Sequence, residues 1–152
     1  MLSNKQRRYI DGAINAACLS KMGYKVGAIV VKGAKIVSIG CNNVRETIKN
    51  QYMPSCHAEI DALYKYLRYN EDVNKKIDVW VVRVCSGTGV LEIKNSRPCA
   101  TCVNTLKKYG VRKVWYYYND KLCCENVKDM SYTYLTRFAM EHCKECMTFN
   151  LK

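Results

Sequence analysis

The chain has only two histidines in 152 residues, and no apolar run comes near the roughly 18 residues a membrane span needs. Its opening stretch, MLSNKQRRYIDG, turns charged before any apolar segment forms, which argues against a secretory leader. No internal repeat and no low-complexity tract is present, so solenoid and fibrous architectures are excluded. A protein without a membrane segment, intracellular and cytoplasmic, is expected. Acidic residues are also scarce: 13 Asp and Glu stand against 25 Lys and Arg, a net charge of +12. Such a surface attracts phosphate, whether on a nucleotide or along a polynucleotide, and fixes the sign of a ligand but not its size.

Cysteine is the residue in excess, with ten in the chain. A chain of this length can bury roughly 70% of its unfolded surface and does not need covalent staples. Reduced thiols are the expectation.

Hydrophobic spacing outlines one domain. Ser3 and Gln6 make a capping box ahead of Ile10, Ala13, Ile14 and Ala17, predicting a helix over about residues 4–20. VGAIVVKGAKIVSIG reads as a hairpin around Gly33 and Ala34, and the polar stretch 41–54 as loop. Ser55 can cap a helix carrying Ile60, Leu63 and Leu67. IDVWVVRV (77–84) has the continuous apolar character of a central strand, turned by SGTG (86–89) towards VLEI. A helix is permitted from Pro98 to Gly110, then a strand at 112–118 and a helical tail around 131–142. The order predicts an α/β fold: a single three-layer domain over 1–152, with a mixed central sheet of about five strands and helices on both faces. Residues 119–152 are read as a C-terminal extension packed on it.

Two short motifs carry chemistry. In SCHAEIDAL (55–63) one of the two histidines, His57, sits at a helix start two residues before Glu59. In NSRPCATC (95–102) Cys99 and Cys102 stand three apart at another helix start, so both sulfurs face one side of its first turn, as two zinc ligands do. Either motif alone has an ordinary structural explanation. Cys56 is a poor ligand candidate, because neighbours on a helix diverge by about 100°.

His57-x-Glu59 followed by Pro98-Cys99-x-x-Cys102 resembles the zinc-dependent cytidine and deoxycytidylate deaminase superfamily, and SKMGYKVGAIVV and YGVRKVWYYY look like its strand segments. The resemblance implies one catalytic Zn²⁺ held by His57, Cys99 and Cys102, with the fourth position left for water. It implies Glu59 as the proton-transferring residue, and Asn42 and Ala58 as substrate contacts. It covers residues 4–118 and leaves the tail aside, where Cys143 and Cys146 offer a second CxxC and a conceivable second, structural ion. One departure stands out: 38 residues separate Glu59 from Pro98, more than the resemblance leads one to expect, with the surplus assigned to the SGTG hairpin.

Three functions fit. The first is a deaminase converting a free cytosine nucleotide, deoxycytidylate or a close relative, to the uracil nucleotide with release of ammonia. The second deaminates cytosine or adenine within RNA or single-stranded DNA, a nucleic-acid partner that the +12 charge favours. The third is a noncatalytic, zinc-stabilised nucleotide-binding module, against which an intact Glu59 argues. The first is preferred because no arginine-rich arm or aromatic-basic repeat is evident, and a homo-oligomer is expected.

Overall fold

A computed structural model describes residues 1–44, 47, 48, 51, 52, 56–70, 76–87 and 89–131. The first helix, α1 (Asn4–Cys18), begins at the capping box: Gln6 N–H donates to Ser3 Oγ at 3.1 Å, and Ser3 N–H donates to Gln6 Oε1 at 2.9 Å. The strands β1 (Lys25–Lys32) and β2 (Lys35–Cys41) then form an antiparallel hairpin. Gly33 and Ala34 both take positive φ, 53° and 68°, the pair of left-handed residues whose twist matches that of the strands they join.

Within the stretch read as loop, β3 (Thr47–Ile48) pairs with β4 (Gln51–Tyr52). Then come α2 (Ala58–Tyr69), β5 (Ile77–Cys85), β6 (Glu92–Lys94), α3 (Ala100–Lys108), β7 (Lys113–Tyr118) and β8 (Lys121–Asn126), closed by a 3-10 turn at Val127–Asp129. The sheet runs β2-β1-β5-β7-β8, with β6 beside the far end of β5. Among these pairings β5–β7 is parallel and the rest are antiparallel.

Alternation along the strands sorts side chains into two cores. Ile29, Trp80 and Val82 meet Ile10, Ala13 and Ala17 of α1 on one face. Val30, Val79, Val81 and Val114 meet Ala62 and Leu63 of α2 and Val103 and Leu106 of α3 on the other. Each fully buried leucine or isoleucine contributes about 1.5–3 kcal/mol, so both faces are firmly covered. The expected three-layer α/β architecture is what the chain adopts. The tyrosines of β7 divide in the same way: Tyr116 is buried towards α2 and α3, Tyr117 packs with the α1 side, and Tyr118 is exposed.

Two features depart from the sequence reading. The second helix starts at Ala58 with His57 in the N-cap position, not from a Ser55 cap, and Ser55 lies outside the described residues. Residues 121–126 are a strand of the sheet, reached through Asn119 and Asp120 at φ 49° and 60°. The expected extension thus starts inside the fold, with Cys123 and Cys124 on β8; the helix expected around 131–142 and the Cys143 and Cys146 pair fall outside the described residues, save Ser131, which is not helical. Among the described residues, no helix is long and apolar enough to cross a membrane.

Candidate active site

The second helix is held against the sheet by small residues and by one buried acid. A Cβ on Gly40 would lie 2.3 Å from Ala62 N and 2.8 Å from Ala58 O, so only glycine lets β2 approach α2 this closely. Asp61, fully buried, accepts from Cys41 N–H at 3.1 Å and pairs with Lys65 at 2.8 Å, while Ser38 Oγ donates to Ala62 O at 2.7 Å. These contacts fix the helix whose first residues carry the site.

The opposite wall depends on a splay in the sheet. The strands β5 and β7 pair from Asp78 to Trp80 and then part. Ser96 fills the gap: its hydroxyl donates to Val81 O at 2.8 Å and accepts from Tyr117 N–H at 2.9 Å, and its own N–H donates to Tyr117 O at 2.8 Å. A buried serine thereby stands in for ladder bonds that the splay removes. The next turn of chain, Arg97 to Cys99, is delivered to the mouth of that gap, where Cys99 becomes the N-cap of α3.

Two helix N-termini therefore converge, His57 capping α2 and Cys99 capping α3, with Cys102 in the first turn of α3. His57 Nδ1 lies 3.2 Å from Cys102 Sγ and 3.5 Å from Cys99 Sγ, and the three donor atoms fall within 4.8 Å of one another. Ligands on a tetrahedral zinc sit about 3.6 Å apart for a nitrogen and a sulfur, from bond lengths near 2.05 and 2.3 Å. One imidazole and two cysteines at this separation fit one catalytic Zn²⁺. Cys56, though buried beside them, turns its sulfur to His57 O at 3.5 Å and is not part of the three-donor group.

Among the protein groups alone, protons are shared across the cluster. The Cys99 thiol is drawn down to about 4, chiefly by its hydrogen bond with Cys102 and, against burial, by His57. The Cys102 thiol is pushed up by that same bond with Cys99, and then by burial. Burial disfavours a charged His57, but the Cys99 sulfur outweighs it and raises the ring to about 9. A divalent cation takes the place of these protons, because zinc binds thiolate and neutral imidazole. The positive ends of two helices favour the thiolates as well.

Beside the cluster opens a small cleft of about 160 Å³. Glu59, 4% exposed, lines it together with His57, Ala58 and Cys99, and burial raises its carboxyl above the usual range. Asn42 lines it too, but its carboxamide is engaged by the main chain: Oδ1 accepts from Val26 N–H at 2.8 Å and Nδ2 donates to Tyr24 O at 2.9 Å. The sequence named His57, Ala58, Glu59, Cys99, Cys102 and Asn42, and the structure brings these six together. It did not disclose the remaining wall, Tyr24, Val26, Val81, Arg83, Asn95 and Ser96, which only strand register reveals.

The model of the cytidine and deoxycytidylate deaminase zinc-binding region matches residues 3–118. Among solved structures, a cytidine deaminase from Burkholderia pseudomallei is similar at 20% identity and a TM-score of 0.62, over 84% of this chain and 95% of that one. A dCMP deaminase from the cyanophage S-TIM5 is similar at 25% identity and a TM-score of 0.52, over 75% and 82%. A cytidine deaminase from Mycobacterium tuberculosis is similar at 18% identity and a TM-score of 0.54, over 81% and 90%. No curated protein matches the chain by sequence. With the three-donor zinc group, the buried glutamate beside it and a family match over most of its length, the chain belongs to the zinc-dependent cytidine and deoxycytidylate deaminases.

Proposed function

We propose that this zinc-dependent deaminase acts on a free cytosine mononucleotide, deoxycytidylate or a close relative, replacing the amino group of the ring by oxygen and releasing ammonia. The observation that carries the reading is the placement of Glu59: a buried carboxyl at the wall of a cleft, one residue beyond Ala58 and beside the His57, Cys99 and Cys102 group. Bound zinc would lower the pKa of a water in its open position, supplying a nucleophile at neutral pH.

The chain's own residues supply the rest. Glu59 takes the proton of the attacking water and delivers it to the ring nitrogen beside the reacting carbon, then carries a second proton to the departing amine. Water and the cytosine ring are consumed, and the uracil ring and ammonia leave, so protons and electrons balance with Glu59 returned to its starting state. Its burial keeps bulk water from exchanging those protons and raises its affinity for them. Ala58, fully buried, leaves room for a flat ring against the helix start, and Asn42 holds the wall where the sugar rests.

A dCMP deaminase, the cyanophage protein, is among the similar structures at 25% identity, which supports a nucleotide over a polynucleotide. The experiment is to incubate zinc-loaded protein with cytidine, deoxycytidine, their 5′-monophosphates, adenosine, tRNA and single-stranded DNA, and to measure ammonia. Turnover of a cytosine mononucleotide is expected. Turnover confined to bases within a polynucleotide would overturn the reading.

A further inference from the structure

We propose that the β5–β6 hairpin, which lies between Glu59 and Pro98, builds a phosphate-recognising lip on the cleft, with Arg83 as its specificity-determining residue. This inference rests on the mononucleotide reading and says which part of the chain enforces it. The strand β5 continues beyond the point where β7 leaves it, and β6 pairs with that overhang from Cys85 back to Arg83. The antiparallel register places Val84 opposite Ile93 and Arg83 opposite Lys94. Side chains directly opposite share a face. Val84 and Ile93 pack on the α1 side, so Arg83 and Lys94 lie together on the other face, the one that carries the metal group.

Arg83 follows Val81 along that face, and both line the cleft. Its guanidinium sits over the ring of Tyr24, 5.7 Å from the centroid, and Tyr24 lines the same cleft. The ring limits the rotamers open to this long side chain. Among the described residues no carboxylate pairs with Arg83, whereas Lys94 is already engaged by Glu92 at 2.7 Å. Arg83 is also the sole lysine or arginine among the described lining residues. One exposed guanidinium at the lip, with the reacting group at the floor, is what a ligand with a base at one end and a single phosphate at the other requires. A polynucleotide would need a row of cations, each meeting its own phosphate.

The test is calorimetric binding of deoxyuridine 5′-monophosphate and of deoxyuridine to the zinc-loaded full chain, neither ligand carrying an amine to lose. In the unaltered protein the nucleotide should bind at least about tenfold tighter than the nucleoside, the range of one charge-assisted pair. Arg83→Ala and Arg83→Gln should each bring that ratio below about twofold, and Arg83→Lys should restore part of it, since a point charge lacks the fork. Zinc content and melting temperature of each variant report on folding, and the glutamine variant keeps the side chain's bulk should the alanine variant prove unstable. A ratio unmoved in both neutral variants, or no preference for the nucleotide in the unaltered protein, would overturn the assignment. Failure of the functional reading is separable: the binding ratio would respond to Arg83 while deoxycytidylate released no ammonia.

Discussion

His57 Nδ1 and Cys102 Sγ, 45 positions apart in the chain, meet at 3.2 Å because each stands at the start of a helix laid on the same face of the sheet. The contact joins the two motifs into one group of donors. It follows that the chain should carry one zinc ion, and that Cys102→Ala or Cys99→Ala should lose it. Elemental analysis of purified protein checks this, with less than a tenth of the metal expected in either variant, because each thiolate is one of only three protein ligands. Full zinc occupancy in Cys102→Ala would remove that residue from the site.

Gly40→Ala tests how the fold positions the helix. A Cβ there would meet the backbone of α2 at Ala62 N, 2.3 Å away, and main chain cannot swing aside as a flexible side chain can. A loss of about 1–3 kcal/mol or more is expected in denaturant unfolding, together with weakened zinc retention, since His57 caps the same helix. Unchanged stability would show that the two elements are not in close contact.

Much of this site was legible because the chemistry restricts residue types. A histidine in a histidine-poor chain, a glutamate two residues on and a CxxC after proline are visible without knowing where they meet. Arg83 was not legible, because a lone arginine in VVRV acquires meaning only when the register sets it opposite Lys94 and over Tyr24. Ser96 was hidden similarly: its role depends on a gap between β5 and β7 that no local pattern records. The edge strand β8 did leave a signal, the Asn119-Asp120 turn after a tyrosine run, but KLCCEN has weak alternation and was read as tail.

Alkaline pH should loosen the β7–β8 edge. Burial, and then the hydrogen bond to Glu125, push the Tyr116 hydroxyl up to about 12 from its ordinary value near 10. The protonated form is favoured in the folded state, so its contribution is complete below pH 10 and is lost as pH rises from 10 towards 12. Unfolding free energy should fall across that window, and Tyr116→Phe, which has no proton to lose, should flatten the fall. An equal slope in the two proteins would contradict it.

Association with polynucleotides should be weak and steeply salt-dependent. The net charge of +12 attracts any polyanion through many screened contacts, whereas one phosphate at the cleft is held locally. Fluorescence titrations with tRNA and single-stranded DNA at two salt concentrations should therefore show affinity falling by more than about tenfold between roughly 50 and 200 mM. Deoxyuridine 5′-monophosphate binding should change far less. Tight, salt-insensitive binding of tRNA would point to a shaped polynucleotide site.

On the proposed function, Glu59 moves the protons of a zinc-dependent deamination. Its most direct test is ammonia release from deoxycytidylate by the unaltered protein and by Glu59→Gln, with zinc content matched. The amide cannot accept the proton of the attacking water, so turnover should fall by about 10²–10⁴-fold while zinc and nucleotide binding persist. Turnover within a few-fold of the unaltered protein, at equal zinc occupancy, would contradict the account.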